Sequence, residues 1–192
     1  MPVNIAARRG AKNQRRKAVV AQKRKAEMDA GTTAGQARLA QNDPIQHCLL
    51  SEGLFDVGMG TLVLTRGATP SHVTAAVFLL DAWSLGVKDV YMRSLSGKEF
   101  EFYLEQMSIA TPMVPVDPAF ARKLLHDLVA WSRAHGFAPH RDYPKIEPIF
   151  GSISSAQCDV EFQFGHVWSS VVEDETADIA RLPSEHDEVV TS

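Results

Sequence analysis

The sequence predicts an α+β protein: an antiparallel β-meander of three or four strands with two helices packed on one face, a disordered basic arm before it and an acidic disordered tail behind it. Three observations carry that prediction. Apolar runs rich in β-branched and aliphatic residues lie close together between positions 61 and 93, joined by Gly-, Pro- and Ser-containing links too short for a helical crossover. Two segments after them carry helix-capping signals. Charge is segregated along the chain, with nine basic and no acidic residues in positions 1–26, and seven acids against one arginine in 169–192.

The first 30 residues are mostly Ala, Lys, Arg, Gln and Asn, with few large apolar side chains to bury, so alone they should stay unfolded. Wound as a helix, Arg8, Arg9, Lys12, Arg15, Arg16 and Lys23 share about a third of the circumference, and folding on a partner would create a basic stripe. GTTAGQARLAQNDP, 31–44, reads as a linker closing on an Asn-Asp-Pro turn signal. This divides the chain into an arm and linker (1–43), one α+β domain (44–168) and a tail (169–192).

Within the domain, IQHCLLSEGLF reads as a short helix or strand leading into a turn at 56–60. TLVLTR (61–66), VTAAVFLLDAW (73–83) and VKDVYMR (87–93) follow as strands, and the unbroken apolar run in the middle one implies burial on both of its faces. SGKEFEFYLEQM opens on a capping box, Ser96-x-x-Glu99, and places Phe100, Tyr103, Leu104 and Met107 on one helical face. The next helix has Asp117 as N-cap, Pro118 in its first turn and Gly136 past its end, with a broad apolar face from Phe120 to Trp131. Pro139, Pro144 and Pro148 keep the following stretch from forming a long helix, and VEFQFG (160–165) alternates as a strand would.

No run approaches the roughly 18–20 apolar residues of a membrane span, and the N-terminus lacks the apolar core of a secretory signal. A soluble, cytoplasmic protein without a membrane partner is expected. Cys48 and Cys158 stand in no metal-binding spacing and are expected as reduced thiols. No phosphate-binding glycine loop, dinucleotide fingerprint, H-E-x-x-H or serine elbow occurs.

Candidate functional residues fall into two groups. Asp81 and Asp89 would lie at the ends of adjacent strands; if their carboxylates converge they could hold Mg²⁺, with His140 as general base and Asp142 beside it. Alternatively Asp81 caps a turn while Asp89 pairs with Lys88 or a nearby arginine. His126 and His135, nine residues apart on one helix, face opposite ways and cannot share a metal. The second group is the arm: Arg8, Arg9, Lys12, Arg15, Arg16, Lys17, Lys23, Arg24 and Lys25 could contact phosphates, with little sequence selectivity because no aromatic side chain is there to stack on bases.

The phrases FLLDAWSLGVKD (78–89) and LVAWSRAHGFAPHRDY (128–143), followed by IFG (149–151) and FQFG (162–165), resemble a group of uncharacterised bacterial proteins. Ser84 stands where that pattern often has cysteine, and the acidic tail departs from the segment that follows in the group. The resemblance implies no particular activity, and it directs attention to Asp81, Lys88, Asp89, His140 and Asp142. Three functions are compatible with these readings: an RNA- or ribonucleoprotein-binding accessory protein, a metal-dependent nuclease or hydrolase, and a protein-interaction or antitoxin-like accessory.

Overall fold

The computed structural model describes residues 31–165 together with Lys17, Val19 and Val20. The disorder expected for the acidic tail and for most of the arm lies outside the described residues; Lys17, the one arm cation among them, is exposed on helical backbone.

Four strands run in sequence as an antiparallel meander, β1 (Ile45–Ser51), β2 (Met59–Thr69), β3 (His72–Asp81) and β4 (Gly86–Ser96). A three-residue strand, β5 (Met113–Pro115), returns to pair antiparallel with β1, so the five-stranded order is β4-β3-β2-β1-β5. The helices are α1 (Thr33–Ala40) before β1, the single turn α2 (Leu54–Val57) between β1 and β2, α3 (Gly97–Ala110) between β4 and β5, and, after β5, α4 (Pro118–Ala134) and the single turn α5 (Tyr143–Ile146). The last runs directly into a 3₁₀ turn, Glu147–Phe150. No helix among the described residues is long and apolar enough to cross a membrane.

The pleat decides how the core divides. Leu62 and Leu64 of β2 and Ala76, Phe78 and Leu80 of β3 join Leu124, Leu125 and Leu128 of α4 in the larger core. Their strand neighbours Val63 and Val77 pack with Phe100 of α3 in a second, smaller core. The central strands are thus buried on both faces, as the unbroken run VFLL requires. The two long helices consequently take opposite faces, not the single face expected. An amphipathic helix covers only one side of a sheet, and a strand apolar on both sides needs a helix for each.

Both helices begin where their caps place them. Ser96 accepts from Glu99 N–H while the Glu99 carboxylate accepts from Ser96 N–H, a complete capping box that starts α3 directly off the end of β4. Asp117 accepts from Ala119 and Phe120 N–H at the start of α4. The link from β3 to β4 admits only glycine at position 86: φ is 76°, and a Cβ there would lie 2.5 Å from Ser132 Oγ of α4.

Two further segments differ from expectation. Residues 31–44, read as linker, contain α1, capped by the Thr32 hydroxyl and buried through Gly35, Ala37 and Ala40. VEFQFG pairs with no strand among the described residues. Its Phe162 and Phe164 lie across α4, packed among Phe55, Phe120 and Trp131, and Gly165 N–H donates to Ala82 O at 2.8 Å. The alternation signalled one buried face, which an extended segment on a helix provides as well as a strand does. Arg66, buried on β2, ties the two ends of the domain together by donating to Asp43 O (2.6 Å) and Phe150 O (2.7 Å).

Candidate functional site

Asp81 closes β3 and is 7% exposed. Its Oδ1 accepts from Ser84 N–H (2.8 Å) and Trp83 N–H (3.1 Å), and its Oδ2 from the Ser84 hydroxyl (2.8 Å). Burial pushes this carboxyl up, but the Ser84 hydroxyl and the N–H groups of Ser84, Trp83 and Leu85 outweigh it and hold the pKa below the ordinary aspartate value. The residue acts as the anchor of the β3–β4 turn. Both oxygens expected on Mg²⁺ are engaged by the chain itself.

Asp89 sits at an irregularity of the ladder. Leu80 pairs with Val87 and Leu79 with Asp89, which leaves Lys88 as the extra residue of a bulge on the edge strand. The bulge lets both Val87 and Val90 reach the larger core. Asp89 Oδ1 accepts from Val90 N–H at 2.7 Å and lies 3.6 Å from His140 Nε2. The His140 loop is fixed alongside β4 by its own backbone: His140 N–H donates to Val87 O, and its carbonyl accepts from Tyr143 N–H, both at 2.9 Å. Asp142 N–H points at His140 Nδ1 (3.4 Å), and the Asp142 carboxylate pairs with Lys145 at 2.5 Å. Lys145 foremost, with Arg141 and His140, holds the Asp142 pKa below its ordinary value.

The fold therefore brings Asp89, His140 and Asp142 to one surface neighbourhood while Asp81 serves its own turn. Among the described residues no group of three or more His, Cys, Asp or Glu side chains is arranged to hold a metal ion. Cys48 is no nucleophile for this neighbourhood either. It lies in the larger core, while the ring of its neighbour His47 packs 5.0 Å from Phe100 on the other face. Burial, with the Asp117 charge adding to it, pushes the Cys48 thiol up to about 12, so no thiolate forms at neutral pH.

A second constellation, largely unread in the sequence, lines a cleft of about 390 Å³ between α4 and α5: His126, Val129, Ala130 and Arg133 from α4, Tyr143 and Pro144 from α5, and Glu147 just beyond it. His126 and Arg133 are seven residues apart and so share a helical face. His126 Nε2 meets Glu147 Oε1 at 3.2 Å. The same oxygen receives Arg122 Nε (3.0 Å) and Nη2 (2.7 Å), while Arg122 Nη1 donates to Gly151 O (3.0 Å) and Ile153 O. One guanidinium thereby fixes both the carboxylate and the chain that carries it. Tyr143 is buried against Phe78, with ring centroids 6.3 Å apart. Burial, reinforced by the Glu147 charge, pushes its phenol well above the usual tyrosine range.

His126 was legible as a helical histidine, but its partner comes 21 residues later from a proline-rich stretch, a distance no spacing rule covers. Comparison with protein-family models, with curated proteins and with solved structures finds no match to the chain.

Proposed function

We propose that the protein is a nucleic-acid-binding accessory protein that grips RNA, or a ribonucleoprotein surface, through the cationic arm of residues 1–26, while the body offers a separate interaction surface. The observation that carries this reading is the division of charge. The arm holds nine of the chain's twenty basic residues and none of its twenty-three acidic ones, so phosphates are attracted at one end of an otherwise anionic chain. The body's own cations support it, because several are engaged within the fold. Arg122 binds Glu147, Lys123 pairs with Asp127, Lys145 with Asp142, and Arg66 is buried on carbonyls.

The alternative of a metal-dependent hydrolase, with Mg²⁺ on Asp81 and Asp89, is the weaker reading. Asp81 has its oxygens committed to Ser84 and Trp83, and only Asp89 and His140 approach each other.

Fluorescence anisotropy with a single-stranded RNA of about 20 nucleotides, over 50 to 300 mM KCl, tests the proposal. If all nine arm cations engage, the logarithm of the affinity should fall against that of salt with a slope of roughly −6, at −0.7 per contact. Removal of residues 1–26 should abolish binding across that range. Equal affinity of the shortened chain would refute the assignment to the arm.

A further inference from the structure

We infer that the cleft between α4 and α5 is a binding site for a small oxyanion, a carboxylate or a phosphate monoester carried on a compact apolar body, with Arg133 as the ligand's counter-ion. This site is separate from the arm and stands or falls independently of it.

The charges around the cleft do not balance. Glu147 is neutralised by Arg122, which reaches the same carboxylate oxygen through two nitrogens, and His126 is hydrogen-bonded to that oxygen as well. What remains is Arg133. Among the described residues its guanidinium has no ion pair and no hydrogen bond, although it lies close enough to Tyr143 to bias that phenol electrostatically. A guanidinium left open on a cleft wall offers a planar fork of donors, which matches the two oxygens of a carboxylate or phosphate.

Tyr143 supplies the second observation. It is 7% exposed and lines the cleft, yet its hydroxyl has no hydrogen-bond partner among the described residues. The ring is buried while the hydroxyl itself is not sealed from solvent, which leaves an open donor at the cleft for a ligand to engage. Its raised pKa keeps the phenol neutral, so it can donate to an anion without repelling it.

The remaining walls are Val129, Ala130 and Pro144, which suit an apolar body attached to the anionic group. The volume of about 390 Å³ lies within the roughly 300–1,000 Å³ usual for small-ligand sites. A divalent cation is disfavoured, since the one carboxylate present already holds Arg122 and His126.

The test is a titration of the ¹⁵N-labelled full chain with two probes, benzoate for the carboxylate class and phenyl phosphate for the phosphate class. Saturable shifts at the amides of 126–133 and 143–147 are expected with at least one probe, and the tighter of the two identifies the class. Arg133→Gln, at an exposed position, should keep the spectrum of the fold and weaken that probe roughly tenfold or more, the scale of a lost charge-assisted pair. Tyr143→Phe keeps the buried ring and should weaken it about threefold or more, the scale of one neutral hydrogen bond. No saturable shift with either probe overturns the inference. So does unchanged affinity in Arg133→Gln, which is what diffuse attraction to the cationic arm would give.

Discussion

At the scale of single residues, chemistry is settled by who already holds each polar atom. Asp81 and Asp89 look alike in the sequence, two aspartates eight positions apart around a tight link. Only the position of Ser84, three residues on and folded back, turns the first into a turn anchor. The Asp-x-x-Ser spacing was visible, and turn capping was one of the two readings it allowed, but the choice needed the backbone to be seen curling over the carboxylate. A consequence follows for acid stability. The folded-state pKa of Asp81 lies below its unfolded value, so the group's contribution is fully present above the ordinary aspartate pKa of about 4 and is lost as pH falls through the lower folded value. Asp81→Asn keeps the turn's acceptor but removes the titration. It should cost on the order of 1 kcal/mol at pH 7, and the difference from the wild type should shrink as pH drops from 5 to 3. Urea unfolding at several pH values measures this. A variant whose deficit stays constant over that range would show that Asp81 does not titrate with folding.

At the scale of elements, the segments that were legible are those whose signals are local. The capping box at Ser96 and Glu99 and the Asp117-Pro118 start of α4 are written within four residues of chain, and both helices begin there. Helix α1 escaped notice because its buried residues are Gly35, Ala37 and Ala40, too small to register as an apolar stripe though well suited to close packing. β5 is three residues long and recognisable only from its pairing with β1. The β3–β4 link shows how tightly such elements are joined. Gly86→Ala meets two costs: a positive φ, roughly 1–2 kcal/mol, and overlap with Ser132, of the 1–3 kcal/mol typical of overpacking. A second change, Ser132→Gly, removes both clashing atoms, the Oγ at 2.5 Å and the Cβ at 2.7 Å. In a double-mutant cycle read by chemical denaturation, the pair should therefore be favourably coupled, with the backbone cost persisting. Strict additivity of the two single changes would mean that the close approach of α4 to the link is not what requires glycine there.

At the scale of the whole molecule, the two long helices could not be assigned to faces from sequence alone. Each helix shows that it has an apolar side, but neither shows which side of the sheet that is to meet. The decisive clue was the unbroken run in β3, which demands cover above and below. The charge pattern, by contrast, was fully legible because it is a property of composition. Together these separate folding of the body from the proposed phosphate binding. Among the described residues the larger core runs from Ala37 of α1 to Phe164 and the smaller one lies wholly inside that span, so folding of the body draws on apolar contacts among residues 37–164. The proposed phosphate affinity draws on residues 1–26 alone. Removing those 26 residues should then leave the unfolding free energy of the body, measured in urea, within about 0.5 kcal/mol of that of the full chain, the ordinary margin for surface changes, while the formal charge moves from −3 to −12. The direction of any small effect is also fixed. An anionic body loses cations that could offset its self-repulsion, so a slight loss at low salt should disappear as ionic strength rises. A large loss that persists in high salt would mean that the leading residues contribute apolar packing to the fold, and the separation of a phosphate-gripping arm from an independently folded body would have to be abandoned.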